Sequence, residues 1–441
     1  MDTSPRAVDT VIEARWVIPV EPARSVFSDH ALVIDDGRIS ALLPAPEARA
    51  KYRPRNHLVL AEHVLIPGLV NLHTHAAMTL MRGLADDLAL MDWLNHHVWP
   101  AEMRHVSEQF VYDGTRLACA EMLRGGVTCF NDMYFFPRAA ARAALEAGMR
   151  AVIGMIVIEM PSPYAADAQD YLNKGLALRD ELKSEPLLNY CFAPHAPYTA
   201  ADRTLAQIST LTGELDLPVH MHVHETRDEI EQSLKQHGVR PLARLAALGL
   251  LGPGLIAVHA VNLERGEIEL LARHGCHVAH CPSSNLKLAS GIAPVGALLA
   301  AGVNVGLGTD GAASNNRLDM FSEMRLAALL AKGESRDATA LPAWQALELA
   351  TINPARALGL DAAIGTLQPG KYADVTALRL SAPELAPCYD PQSHLVYAAG
   401  REHVSHVWVG GKLVVDNGSL TTIDSNEIQA RAAFWRERIT A

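Results

Sequence analysis

Two patterns of apolar positions divide the chain. Residues 8–64 read as short strands separated by turns, with apolar stretches at 14–20, 31–34 and 38–43 and Asp35-Asp36-Gly37 between the last two. Asp-Gly between apolar runs signals a hairpin. Helical character there is confined to a short segment near 46–52. From residue 65 the pattern changes. Apolar runs of strand length fall at 65–75, 127–133, 150–159, 188–198, 217–225, 255–260, 275–285 and 303–310. Longer stretches of helical period separate most of them, such as 106–124 and 318–330. Eight strand–helix units in succession predict a (β/α)8 TIM-like barrel of the α/β class. A doubly wound open sheet is the competing arrangement, but no G-x-G-x-x-G follows the first strand. Past residue 360 the strand pattern returns at 365–375, 404–409 and 412–415, with a Gly410-Gly411 turn. The two chain ends are therefore expected to pair into one small β-sandwich. This gives 1–64 and 361–441 to the sandwich and 65–360 to the barrel. A terminal helix is expected over 425–439, capped by Ser or Asn.

Composition narrows the class without naming a function. The 441 residues suit a barrel of about 250 residues or more with an accessory domain. A net charge of −11, with no block of five Lys or Arg, argues against nucleic acid or an anionic membrane as partner. No apolar run approaches the ~18 residues that span a bilayer, and 1–20 carries Asp2, Asp9 and Glu13 in place of a signal-peptide core. The six cysteines form no C-x-x-C pair, which fits reduced thiols in a cytoplasmic protein.

The candidate chemistry lies at the strand ends, where barrels of this kind carry their sites. His73 and His75 stand one residue apart at the end of the first apolar run. Side chains at i and i+2 of a strand share a face, so the pair makes half of a divalent-metal site. Taken alone, it is equally a chance pair bonded to backbone. Further ends carry His195, the alternating His220, His222 and His224 followed by Glu225, then His259, and Asp310. Five of eight strand ends thus hold a titratable or metal-binding group. Three imidazoles and one carboxylate suit Zn2+ with a water completing the shell. Such an ion lowers the water's pKa to about 7, and Glu225 and Asp310 are the carboxyl groups available to move protons. Alternation alone places all three of His220, His222 and His224 on one face and does not choose between them.

Several motifs together resemble a known family. They are 67–75 (Pro-Gly-Leu-Val-Asn-Leu-His-Thr-His), Met78 to Gly83, Ala193 to Tyr198, His222 to Thr226, Ser283 to Leu288, and Gly308 to Asn316. In order and spread they resemble the amidohydrolase superfamily, in its branch of adenosine-type deaminases and triazine-type hydrolases, and most closely the 5′-methylthioadenosine/S-adenosylhomocysteine deaminases. The resemblance implies one divalent metal per subunit, Zn2+ foremost, on His73, His75, His222 and Asp310. It selects His222 because the family's ligand stands three residues before the catalytic glutamate; His220 and His224 are then packed or hydrogen-bonded strand residues, and His280 is structural. It implies that Glu225 protonates a ring nitrogen and that His259 orients the attacking hydroxide or the tetrahedral intermediate. Asp310 would also relay the water proton to the leaving ammonia. His195 would contact purine or ribose, Glu102 would grip the ribose hydroxyls, and Trp93 would wall the nucleoside. For Glu102 the bland alternative is a helix cap, and for Trp93 it is core packing.

The implied activity is hydrolytic deamination of a small-molecule adenine nucleoside by a homo-oligomer, a dimer or tetramer. Residues 151–173 contain no Lys or Arg, whereas relatives that use S-adenosylhomocysteine well supply arginines there. An unpaired buried carboxylate is costly, and a methylthio group suits a Met-rich surface, so Met155 is the substrate-binding residue expected on that strand and 5′-methylthioadenosine the preferred substrate. Guanine or pterin deamination and s-triazine hydrolysis are the alternatives. A non-catalytic scaffold is disfavoured by the complete ligand set.

Overall fold

A computed structural model describes residues 5–440. The first four strands come from the N-terminal part: β1 (Arg6–Val17), β2 (Phe27–Asp35), β3 (Arg38–Pro44) and β4 (Tyr52–Pro67). Eight follow in the middle of the chain: β5 (Leu69–Thr74), β6 (Val127–Met133), β7 (Arg150–Val157), β8 (Leu188–Pro194), β9 (Val219–Val223), β10 (Leu255–His259), β11 (His277–His280) and β12 (Asn304–Leu307). The last four are β13 (Val375–Arg379), β14 (Val404–Val409), β15 (Lys412–Asp416) and β16 (Ser419–Leu420).

Strands β5 to β12 pair in sequence order, each parallel to the next, which is the expected (β/α)8 barrel. Their side chains are buried on both faces, as helix-covered parallel strands require. The seam between β12 and β5 is closed by side chains and loop backbone. Thr309 N donates to Asn71 Oδ1 (3.0 Å), Asn71 Nδ2 donates to Thr309 Oγ1 (2.7 Å), and Asp310 N donates to the His73 carbonyl (3.0 Å). The barrel therefore closes where His73 and Asp310 meet.

The first barrel strand is shorter than its apolar run. Residues 65–67 belong to β4, which pairs with β13 in the other sheet, and the chain changes sheet at Pro67-Gly68. A Cβ on Gly68 would lie 2.1 Å from Thr128 Oγ1, so only glycine passes there. The seventh strand also ends early, at His280. Pro282 opens a short helix, Pro282–Lys287, where the apolar run suggested continued strand.

The chain ends form a single sheet in the order β16-β15-β14-β13-β4-β1-β2-β3. It curls into the expected sandwich: Gly37, at the β2–β3 turn, approaches the Gly410 carbonyl of the β14–β15 turn so closely that a Cβ would stand 2.8 Å from it. Ile12, Leu32, Ile34, Ile39, Leu65, Val375 and Trp408 fill the space between. The Asp36-Gly37 hairpin has positive φ at both positions (50° and 69°), the conformation a two-residue hairpin turn favours. Arg150 of β7 and Asp374 form a buried ion pair (3.0 Å) that ties sheet to barrel.

The terminal helix, Ser425–Thr440, is capped by Asp424, whose Oδ1 accepts from Asn426 N, and not by Ser425 or Asn426 as expected. It packs on helix Glu108–Arg124, where Asp113 accepts from Arg431 Nε (2.9 Å) and Trp435 Nε1 (2.8 Å). All six cysteines are free. Among the described residues no helix is long and apolar enough to cross a membrane.

Candidate active site

Residues from β5, β9, β10 and the turn after β12 converge at the carboxyl end of the barrel. His73 Nε2 lies 3.3 Å and His75 Nε2 3.4 Å from Asp310 Oδ1, and His75 Nε2 lies 3.3 Å from His222 Nε2. Donors sharing a tetrahedral ion at Zn–N distances of about 2.0–2.1 Å stand about 3.3–3.4 Å apart, and these three pairs match that spacing; His73 and His222 also converge with His259. The far side of each imidazole is also committed. His75 Nδ1 donates to the Met133 carbonyl (2.6 Å) and His222 Nδ1 to the His195 carbonyl (2.7 Å). A carbonyl only accepts, so the proton sits on Nδ1 and the Nε2 lone pair faces the site. His73 Nε2 is buried without a hydrogen-bond partner, as expected of an atom reserved for a cation.

Electrostatics agree with that use. Burial lowers the pKa of His73 to about 4, and burial with neighbouring imidazoles drives His222 well below its ordinary value. Both rings are neutral near pH 7, the state in which imidazole ligates. Burial pushes Asp310 upward, but His73 at 3.3 Å and the surrounding imidazoles outweigh it and keep the carboxyl well below its usual range. Asp310 Oδ2 also accepts from Ser284 Oγ (2.6 Å).

Glu225 and His259 stand beside this cluster. Glu225 Oε2 is 3.7 Å from His259 Nε2. Burial, helped by nearby Asp310, raises Glu225 above its ordinary value despite His259 and His75. His259 Nδ1 donates to Asn285 Oδ1 (2.8 Å), leaving its Nε2 bare toward Glu225 and the ligand cluster. The backbone here is strained: φ is 58° at His224, 71° at His259, 48° at Ala260 and 63° at Asp310. Strain of about 1–3 kcal/mol per such residue concentrates at functional sites.

The structure separates the three alternating histidines. His222 enters the ligand cluster, and His220 lies behind it with Nε2 2.8 Å from His73 Nδ1. His224 leaves the strand through its positive φ, accepts from Leu242 N (3.2 Å) and contacts the Asn262 carbonyl (3.2 Å). His280 is buried in the barrel and does not line the cavity above the cluster.

That cavity is lined by His195, Trp93 and Glu102 as well as by the cluster. The His195 ring tilts against His222 with centroids 4.7 Å apart, and burial lowers its pKa to about 3. Trp93 is buried against the cavity wall. Glu102 lies in the helix Trp99–His105 and does not cap it: its Oε1 accepts from the Tyr134 hydroxyl (2.7 Å). Burial raises the Glu102 carboxyl to about 7, and the Tyr134 hydrogen bond holds it from rising further.

Met155 is not part of the site. Side chains alternate along β7, and Met155 points outward onto Gly175 of helix Ala168–Leu182, where an added Cβ would come within 2.8 Å. Ile156 and Ile158 face inward instead, and Met103, Phe135 and Met160 complete the outer wall. Tyr134, the first residue past β6, also lines the cavity, and although the strand-end rule points to it no metal-binding side chain marks it in the sequence. Asn285 lies in a motif already singled out, but no spacing announces that it orients His259.

Fold and site together define a metal-dependent hydrolase built on a (β/α)8 barrel. Residues 64–414 match the amidohydrolase family, and the chain belongs to it. It is similar over its full length to a 5-methylthioadenosine/S-adenosylhomocysteine deaminase of Saccharophagus degradans, 48% identical over 439 residues covering 100% of this chain and 98% of that one. A protein of the same description from Syntrophobacter fumaroxidans is 45% identical, covering 97% of each chain. Among solved structures, an adenosine deaminase from Xanthomonas campestris with bound zinc superposes with a TM-score of 0.98 at 47% identity, covering 99% of this chain and 100% of that one. An atrazine chlorohydrolase from Arthrobacter aurescens, at 23% identity and a TM-score of 0.91 over 97% of this chain and 100% of that one, shares the fold.

Proposed function

We propose that the protein hydrolyses the C6 amino group of an adenine nucleoside, most efficiently 5′-methylthioadenosine, with S-adenosylhomocysteine and adenosine as weaker substrates. The observation that carries the reading is the convergence of three bare imidazole Nε2 atoms and an ionised Asp310 beside a buried Glu225, under a cavity walled by Trp93 and Glu102. The full-length relatives described as deaminases of these nucleosides support it.

His73, His75, His222 and Asp310 would hold a divalent ion, Zn2+ foremost, which would lower the pKa of a bound water to about 7. The chain's own groups do the rest. His259 Nε2, bare because Nδ1 is spent on Asn285, accepts a hydrogen bond from the attacking water and aims its oxygen. Asp310 takes one proton from that water as the C6–O bond forms. Glu225, whose hold on a proton burial strengthens, gives its proton to N1, which lets C6 accept the new bond. The Asp310 proton then passes to the amino nitrogen as the C6–N bond breaks, and Glu225 recovers its proton from the new hydroxyl. Ammonia and the 6-oxo nucleoside leave. His195 packs against the purine, and the Glu102 carboxylate, pinned by Tyr134, accepts from the ribose hydroxyls.

The preference among nucleosides follows from the outer wall. Among the described residues no Lys or Arg lines the cavity, whose outer part is Met103, Phe135, Ile156, Ile158 and Met160. A methylthio group packs there, while an amino-acid tail finds no counter-charge for its carboxylate. We read the protein further as a cytoplasmic homo-oligomer, dimer or tetramer, with no nucleic-acid or membrane partner. The test is the loss of adenine ultraviolet absorbance by zinc-loaded protein with the three nucleosides. The expected order of kcat/KM places methylthioadenosine first. A higher value for S-adenosylhomocysteine would overturn the preference, and no turnover of any of the three would overturn the nucleoside reading.

A further inference from the structure

The three imidazoles of the ligand cluster are not held alike. His75 and His222 are oriented by backbone carbonyls, which no side-chain substitution removes. His73 is oriented by a side chain: its Nδ1 lies 2.8 Å from Nε2 of His220, and both rings are fully buried. Proton accounting fixes the direction of this contact. His73 Nε2 must be bare to bind a cation, so the His73 proton sits on Nδ1 and donates. His220 Nε2 is then the acceptor, and the single proton of neutral His220 lies on Nδ1. That Nδ1 is buried with no partner among the described residues. Leaving a buried N–H unpaired costs about 1–3 kcal/mol, a penalty that a purely packing residue at this position, such as Leu or Met, would avoid.

We infer that His220 is a positioning residue for the metal site, setting the tautomer and ring orientation of His73 through the Nδ1–H···Nε2 hydrogen bond. This rests on the ligand set proposed above. His220 touches no substrate and moves no proton; it fixes the azimuth of one ligand. The role uses the regular alternation of the strand: His220 and His222 point to the same face of β9, one a layer deeper than the other, so a single strand supplies both a proposed ligand and the support of a proposed ligand on β5, across the barrel.

The test measures metal binding directly. Zn2+ affinity is read by competition with a chromogenic chelator, and ligand geometry by the visible absorption of the Co2+-loaded protein. His220→Met keeps the volume and removes the acceptor, whereas His220→Gln offers an acceptor oxygen near the same place. Loss of an outer hydrogen bond to a metal-ligating histidine typically weakens metal binding about 10- to 100-fold, and that is the loss expected for His220→Met, with altered Co2+ bands. His220→Gln should recover most of the affinity and the native bands. Should His220→Met not fold, His220→Ala is read in its place with the same expectation. His73→Ala is the control on the ligand set. If it loses metal while His220→Met binds Zn2+ as wild type with unchanged Co2+ bands, the positioning role is overturned and the ligand set stands. If His73→Ala itself retains full Zn2+ affinity, the ligand set falls and the inference falls with it.

Discussion

The floor of the cavity and its outer wall are built in opposite ways. The floor stands on strand ends: of the residues proposed to hold the metal, His73, His222 and Asp310 are buried and His75 is partly exposed, and each histidine among them is held from behind by a carbonyl or by His220. The outer wall stands on the connection after β5 and the segment after β7. Its members, Trp93, Trp99, Met103, Ile158 and Met160, are mostly apolar, and Met103 and Met160 are more than half or half exposed (60% and 50%). Glu102 and Tyr134 join the two regions. On the proposed function, the difference would assign the bond chemistry to the strand ends of the barrel and the choice of nucleoside to the more exposed connections above them.

Substitutions on the floor should therefore act on metal or on the chemical step, and those on the wall on substrate choice. The largest effect is expected for His222→Ala, which should lose metal by more than the about 100-fold that removal of an outer support costs. Elemental analysis after gel filtration checks it, and stoichiometric zinc would contradict it. Glu225→Gln should keep its metal and lose about 10²- to 10⁴-fold in kcat, the usual cost of a missing general acid. Paired metal and turnover measurements separate it from the first case. At the junction, Glu102→Gln should raise KM for nucleosides roughly 10- to 100-fold, from the ~1.5–3 kcal/mol of hydrogen bonds to a charged acceptor.

On the proposed function, Glu102 should also set a pH dependence. Burial lifts its carboxyl to about 7, so it gains a proton as pH falls through that value and loses acceptor capacity for the ribose. kcat/KM should therefore decline on the acid side of about pH 7. Tyr134→Phe removes a donor that favours the charged form, and should shift this limb to higher pH. The smallest effect is expected on the wall: Met160→Arg should raise the ratio of kcat/KM for S-adenosylhomocysteine over methylthioadenosine by roughly 2- to 5-fold, in line with the ~0.2–1 kcal/mol of an exposed ion pair. An unchanged ratio would mean that the tail of the substrate lies elsewhere.

The two regions also differed in how legible they were. Floor residues announce themselves, because strand ends are marked by apolar runs that stop at His or Asp, and the period of two places His73 beside His75. The barrel and its partner domain were readable for the same reason. What periodicity did not reveal was where one sheet hands the chain to another: the apolar run through 65–75 is continuous, and only the close approach of Thr128 to Gly68 marks the break. The wall was harder still. Side-chain type points to Met155, but the face a residue takes depends on register within β7, and its neighbours Ile156 and Ile158 line the cavity. His220 reads from the sequence as a packed or hydrogen-bonded strand residue, and the hydrogen bond is the part that holds; its partner has no spacing signature. Its partner is 147 positions away in the chain.

The most direct test of the central claim is to incubate zinc-loaded protein with 5′-methylthioadenosine in heavy-oxygen water and weigh the product. Hydrolysis at C6 predicts a 6-oxo nucleoside with its thioribose intact, one solvent oxygen in place of the amino nitrogen, and one ammonia per product. Free adenine, an unlabelled product, or unchanged nucleoside on fully metallated protein would contradict it.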